Sequence, residues 1–381
     1  MNRQFFSLLP AILVMLGGLL TLPATAFALT SEANPAGAGR SSTVLAYFRF
    51  GEDAFPGASI RLDQFEGHLR ALTNPNIDVI DLPAALALAG QSAAPTPAQP
   101  DRRRVVITVD NAYRSFYEHA WPRLKAVGLP VTLFVATDLV DGGASQYMSW
   151  DQIREVASEG VTIGLRGAAH AHLPGLTDLD LLKDIRHALS RAEAELGATP
   201  RLFSYPYGEF SNRVINVLAG HGFVAGFGLH SGALDPNSLP SGGSFSLPRF
   251  PITEKFGDAD RFRLAINALP LSVEGMTPRD MALSDPQPQI GFTVDEAMGR
   301  LDRLNCFASD QGLLGMTTIG RRVELRLAAG FEPGRARVNC TMPVTQAGAA
   351  TDGEPERWRW LGLNFYLSRP AGDRAVLGPR P

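Results

Sequence analysis

An excess of charge of either sign is missing from this chain. Its 35 lysines and arginines are nearly matched by 38 aspartates and glutamates, leaving a formal net charge of −3. No basic run offers a footprint for nucleic acid, and no acidic tail reads as disordered. Cysteine is almost absent, with only Cys306 and Cys340. Neither sits in a CxxC or beside a histidine pair, which argues against a cysteine-based metal module. One disulfide is the expectation in an exported protein, and two buried thiols are the alternative. Long apolar runs are missing after the N-terminus, so no later stretch is expected to span a bilayer.

The N-terminus itself reads as an export signal over residues 1–28. Arg3 supplies the positive end, Phe5 to Leu22 is almost wholly apolar, and Ala24-Thr25-Ala26 and Ala26-Phe27-Ala28 are small-x-small cleavage patterns. An anchor that is never cleaved is the other reading, and it would be the only membrane contact. Residues 29–42 read as a flexible leader.

With 381 residues, 45% of them hydrophobic, the chain can build a large core and two domains. From Ser42 the pattern alternates between strand and helix. Val105–Val109 is a continuous β-branched run suited to a strand buried on both faces. Ser149 and Gln152 are spaced as a capping box, and Thr177 and Gly197 bracket a long helix. Strands alternating with helices imply a parallel α/β sheet over residues 43–269. Residues 270–288 are rich in Pro, Ser and Asp and read as a linker, and residues 289–370 as a small β-rich domain. Within that domain Asp295–Asn305 reads as a short helix, Trp358 and Trp360 share one strand face, and Arg335, Arg337, Arg357 and Arg359 read as a solvated face.

Four short segments carry the chemistry: Val105–Tyr113 (VVITVDNAY), Ile163–Leu173 (IGLRGAAHAHL), Phe203–Gly208 (FSYPYG) and Leu247–Ile252 (LPRFPI). The first three follow apolar strand-like runs. In a parallel α/β barrel such positions gather at the C-terminal ends of the strands, where active sites lie.

On these segments residues 43–255 resemble the NodB-homology polysaccharide deacetylases, carbohydrate esterase family 4. The resemblance implies an irregular (β/α) barrel and removal of acetyl groups from GlcNAc-containing glycans with a bound Zn²⁺. Asp110 matches the family's general base. The following metal carboxylate is replaced by Asn111, and the first metal histidine by Arg166, so only His170 remains of the implied ligand set. Tyr207 and Gly208 match the aromatic-glycine pair that lines the site; Tyr205 and Tyr207 read as sugar-stacking surfaces of the groove, with ordinary core aromatics as the other reading. Phe48 stands where relatives show a Tyr-His-Arg sequence. The family's late catalytic histidine has no clear match, although His221 and His230 lie near a strand end.

The substitutions bear directly on chemistry. Bound zinc lowers the pKa of water from about 15.7 to about 7. An arginine at a ligand position offers no lone pair and carries a fixed positive charge. Two compensations are conceivable: Arg166 pairs with Asp110 as an electrostatic replacement for the metal, or His170 and His172, two apart, hold a relocated ion with Asn111. Three functions follow. The chain is an exported polysaccharide N-deacetylase, a glycan-binding protein on a deacetylase scaffold that no longer hydrolyses, or a structural partner of an active relative.

Overall fold

In a computed structural model the described residues are 41–89, 103–234, 243–344 and 357–368. The expected export signal and nearly all of the leader lie outside them. Among the described residues no helix is long and apolar enough to cross a membrane.

The N-terminal part is a curled sheet whose strands alternate with helices. In chain order its strands are β1 (Ser42–Tyr47), β2 (Ile77–Val79), β3 (Arg103–Asp110), β4 (Thr132–Val135), β5 (Thr162–Leu165), β6 (Leu202–Ser204), β7 (Ala225–Phe227), β8 (Ala233–Leu234) and β9 (Phe250–Pro251). The principal path runs β1–β3–β4–β5–β6–β7 with parallel pairing throughout. Phe227 bridges Leu247, and Leu45 and Ala46 pair with Phe250 and Pro251. That short segment links β7 to β1, so the curled sheet agrees with the irregular (β/α) barrel that the resemblance implied. Asp110, Arg166 and Tyr205 therefore stand at the ends of adjacent or near-adjacent strands.

The helices are α1 (Leu62–Leu72), α2 (Leu82–Ala89), α3 (Trp121–Ala126), α4 (Thr137–Asp141), α5 (Trp150–Ser158), α6 (Asp178–Leu196), α7 (Asn212–Gly220) and α8 (Ala259–Ile266). Their ends follow the sequence. Ser149 and Gln152 form the expected capping box on α5, Thr177 caps α6, and Gly197 ends α6 in the left-handed conformation. Val105 to Val109 in β3 are buried, as a strand with the barrel interior on one face and helices on the other requires.

The region expected as a linker contains strands instead. β10 (Val273–Thr277) pairs with β11 (Ile290–Val294), and Ala282–Leu283 pairs with the last strand. Pro and Asp here punctuate strands and turns of a sheet rather than a solvated tether. The helix expected over Asp295–Asn305 is also corrected. Asp295 caps a single 3₁₀ turn, Glu296–Met298, which ends at Gly299 with φ 78°. The chain then enters β12 (Asn305–Ala308), followed by β13 (Gly315–Ile319), β14 (Arg322–Arg326), β15 (Gly334–Pro343) and β16 (Trp358–Leu367). Cys306 lies opposite Cys340 across β12 and β15, and the two form a disulfide.

The β-rich part packs on the barrel. One hydrophobic cluster contains Phe203, Phe210 and Val214 together with Phe292, Val338 and Phe365. Trp360 meets the barrel's Phe250 edge to face at 5.2 Å between ring centres. The arginines expected to be solvated are not alike. Arg335 is exposed, Arg337 is half-buried, and Arg359 is buried with its guanidinium donating to Pro270 O at 3.1 Å.

Candidate functional site

Asp110 ends β3 and turns into the barrel interior, where it is 0% exposed. Two arginines hold it. Arg249 donates from Nη1 to Oδ1 at 2.8 Å and from Nη2 to Oδ2 at 2.9 Å. Arg166, 2% exposed, donates from Nη1 to Oδ2 at 2.5 Å. Ser204 at the end of β6 donates its hydroxyl to Oδ2 at 3.2 Å and itself accepts from both arginines. Arg249 is fixed further by Gly228 O at 2.9 Å and Thr108 Oγ1 at 3.1 Å. Burial alone would raise the Asp110 pKa. The charges of Arg166 and Arg249, with hydrogen bonds from Arg249 and Ser204, outweigh it and hold the carboxyl below its ordinary range.

The loops around this cluster share an unusual backbone. Asn111, Ala112, His170 and Tyr207 are non-glycine residues at φ 79°, 49°, 54° and 58°. Such a conformation costs about 1–2 kcal/mol for a residue with a Cβ. Strain of this kind gathers at functional sites, and here it falls on segments that the sequence singled out. Asp184 of α6 braces one of these loops, accepting from the backbone N–H of Ala168 at 3.0 Å and Ala169 at 2.9 Å.

The positions implied for a metal do not form a metal site. Asn111 and His170 present Oδ1 and Nε2, both buried and without a hydrogen-bond partner. The third position is the Arg166 guanidinium, already committed to Asp110. Burial, then the Arg166 charge, push the His170 pKa down to about 3. The same positive potential opposes a dication. One imidazole and one neutral amide oxygen fall short of the ligand sets that hold zinc. Among the described residues, His170 and His172 join no group of three His, Cys, Asp or Glu donors. The group that does converge is Asp138, Asp141 and His187, exposed on α4 and α6. There Asp141 is engaged by Arg191 at 2.8 Å and Asp138 by His187 at 3.1 Å.

The aromatic expectations divide. Tyr205 is not a groove residue. Its ring is 0% exposed, stacks on Phe210 at 5.1 Å and donates its hydroxyl to Phe245 O at 2.8 Å. Following a strand directly, its side chain falls on the core face. Tyr207, two residues on and in the left-handed region, turns outward and is half-buried. It stacks on His172 at 4.1 Å and meets His170 at 4.6 Å. Gly208 is required behind it. At φ 74° a Cβ would lie 2.5 Å from Leu229 N. Tyr113 stacks on Tyr147 at 5.2 Å and lies under the Arg49 guanidinium at 3.7 Å. Tyr113 and Tyr207 both act electrostatically on Arg166, which places them in its neighbourhood.

Arg249, Ser204 and Glu209 were not foreseen as site residues. Arg249 lies in the segment LPRFPI, but 139 residues separate it from Asp110. A conspicuous arginine between two prolines was the available signal. Glu209 directly follows the Tyr207-Gly208 pair, is 0% exposed, and binds His172 Nδ1 at 2.6 Å. His230 is buried beside Arg249, whose backbone N–H donates to His230 O at 3.0 Å; its Nε2 lies against Ser246 O at 3.3 Å, and His221 bonds its own helix at Val217 O.

Comparison with known proteins bears on the barrel. Residues 98–226 match the family model for polysaccharide deacetylase. The chain is 24% identical over 179 residues to the Bacillus subtilis protein YxkH, a match covering 46% of this chain and 62% of YxkH, so it spans less than two thirds of that relative. It is 23% identical over 222 residues to a poly-β-1,6-N-acetyl-D-glucosamine N-deacetylase of Staphylococcus aureus, covering 55% of this chain and 72% of the relative. The Streptococcus pyogenes deacetylase PplD, solved with acetate, superimposes with a TM-score of 0.52 at 17% identity, over 59% of this chain and 98% of PplD. That likeness establishes the fold. The strand order, the convergence of the sequence motifs and these matches together make this barrel similar to the NodB-homology polysaccharide deacetylases.

Proposed function

We propose that this chain binds GlcNAc-containing polysaccharide at the barrel mouth and does not hydrolyse it by the family's zinc-dependent route. The observation that carries this reading is the clamp on Asp110. Both of its carboxylate oxygens are held by guanidinium groups in a buried site. A general base must reach the proton it removes and hold a pKa suited to taking it. Asp110 is shielded from water and its pKa lies below the ordinary range. Arg166 supplies positive charge but cannot bind a water and acidify it. The cation pairs with the carboxylate and keeps the inherited barrel interior together.

Retained binding is supported by what the clamp leaves free. A buried polar atom without a partner costs about 1–3 kcal/mol. Asn111 Oδ1 and His170 Nε2 are two such atoms at one mouth. Both atoms are buried, so an acetamido N–H reaches either of them only when its loop opens. Tyr113, Tyr147 and Tyr207 offer half-buried ring surfaces for sugar faces. The relatives' names favour a second reading, hydrolysis of N-acetyl groups, which would require a metal arrangement other than the implied ligand set. The signal-like N-terminus and the Cys306–Cys340 disulfide support an exported protein, periplasmic or extracellular.

The experiment is to titrate purified protein with β-1,4- and β-1,6-linked GlcNAc hexasaccharides while assaying released acetate, with added Zn²⁺ or with EDTA. Saturable binding unaffected by EDTA, without acetate release, is the expected result. Acetate release that EDTA abolishes would overturn the proposal.

A further inference from the structure

We propose that the β15–β16 face of the C-terminal sheet extends the barrel mouth and selects polysaccharides bearing anionic groups, with Arg335 and Arg337 reading the charge. This rests on the glycan-binding reading above and adds the substrate class. Alternation along β15 buries Ala336, Val338 and Cys340 in the core and puts Arg335, Arg337 and Asn339 on the opposite face. The register sets Arg335 beside Tyr366 and Arg337 beside Asn364 of β16.

That face is joined to the mouth. Asn364 Nδ2 donates to Gly208 O at 2.8 Å, and Arg335 Nη1 donates to Tyr207 O at 3.4 Å. The Arg335 guanidinium also lies 5.7 Å from the Tyr207 ring centre. Tyr366 stacks on His172 at 6.0 Å, and His172 stacks in turn on Tyr207. A glycan seated against Tyr207 therefore meets this sheet directly. Further along the same face, Phe307 of β12 sits opposite Asn339 and is 44% exposed, which offers a flat apolar ring beyond the arginines.

The charges there do not cancel. Glu209 is the carboxylate that acts on both arginines, and it is shared with His172. Arg335 Nε is 3.6 Å from Glu209 Oε1, whereas among the described residues Arg337 makes no ion pair and its Nε has no hydrogen-bond partner. Burial and the neighbouring Arg335 charge depress the Arg337 pKa, and Glu209 only partly offsets them. A half-buried guanidinium under these conditions gains from an added anion. The barrel interior has the same imbalance, with Arg166 and Arg249 against Asp110. A chain of net charge −3 thus concentrates positive charge at one mouth. A carboxylate on a uronic acid or a phosphodiester between sugars would satisfy it, whereas a de-N-acetylated, cationic polymer would be repelled.

The test compares binding of the full chain to four probes: the neutral GlcNAc hexasaccharide, a hyaluronan hexasaccharide carrying carboxylates, a GlcNAc-1-phosphate oligomer, and a chitosan hexamer carrying amines. We expect at least one anionic probe to bind about 10-fold more tightly than the neutral one at low salt, with the advantage shrinking several-fold at 0.5 M salt. Preference for hyaluronan or for the phosphate polymer identifies which anion is read. Arg337→Gln should reduce the preference to within about 2-fold, and Arg335→Gln, which adds no like charge beside Glu209, should do the same. Neutral and anionic probes binding alike would overturn this inference and leave glycan binding intact. So would an anionic preference that both variants retain. No binding of any probe would overturn the glycan-binding reading itself.

Discussion

Arg166 Nη1 lies 2.5 Å from Asp110 Oδ2, and the two side chains are 2% and 0% exposed. The pair joins the ends of two barrel strands, and Arg249 completes it from a third segment. The carboxylate whose sequence position resembles that of a deacetylase general base is here the centre of a buried ionic cluster. Its part in folding and its part in chemistry can be separated by mutation.

Asp110→Asn should be strongly destabilising. It leaves Arg166 and Arg249 buried without an anion, a situation that typically costs about 3–5 kcal/mol. Arg166→Met should cost less, because Arg249 still reaches both carboxylate oxygens. Urea denaturation of the two variants at pH 7 measures the difference. A loss below about 1 kcal/mol for Asp110→Asn would mean that the cluster does not support the fold.

Restoring the implied ligands should restore metal binding. Asn111→Asp together with Arg166→His supplies a carboxylate and a second imidazole near His170 and removes the opposing charge. Zinc titration of the double variant should reach about one equivalent, and Arg166→His alone should bind at least about 10-fold more weakly. A double variant that takes up no zinc would refute the correspondence of Asn111 and Arg166 with ligand positions.

Stability should fall as the medium is acidified. Burial pushes the His68 and His230 pKa values down to about 4, and burial with the Arg166 charge takes His170 to about 3. Because these folded values lie below the unfolded one, each histidine's contribution is intact above about pH 6.5 and is lost as pH falls towards 4 or 3. Asp110 extends the same trend below about pH 4, since its folded pKa is also depressed. Thermal melts from pH 7.5 to 4.5 should show Tm dropping steadily. A flat Tm between pH 7 and 5 would contradict the neutral, desolvated state of these imidazoles.

Gly208→Ala should impair both the fold and the site. Its Cβ would meet the Leu229 backbone while the residue holds φ 74°. A cost of about 1–3 kcal/mol is expected, together with displacement of Tyr207 and weakened glycan binding. Differential scanning calorimetry and the hexasaccharide titration measure the two effects. Unchanged values in both would show that the loop can reshape freely.

The fold was legible wherever local signals and periodicity agreed. The β-branched run of β3, the Ser149–Gln152 box and Gly197 each specify their element without help from distant residues. Convergence of Asp110 with Arg166 was legible because parallel barrel strands put their C-terminal ends on one side, even with β4 between β3 and β5. Arg249 was not, because its role depends on a closing segment at the seam between β7 and β1, and nothing local announces that closure. Tyr205 and Tyr207 show the limit of composition. Both are aromatic and two apart, yet a left-handed turn at Tyr207 sends one outward and leaves the other in the core. Pro270–Pro288 was misread for a related reason. Its prolines suggested a tether, while the pairing that makes it a sheet comes from residues after it.

The most direct measurement is zinc stoichiometry of the purified protein after incubation with excess zinc and gel filtration. The expected result is far less than one zinc per chain, with any residue unaffected by His170→Ala. One tightly held zinc per chain, lost in His170→Ala, would show that Arg166 yields its place to a metal and that the site is built for hydrolysis.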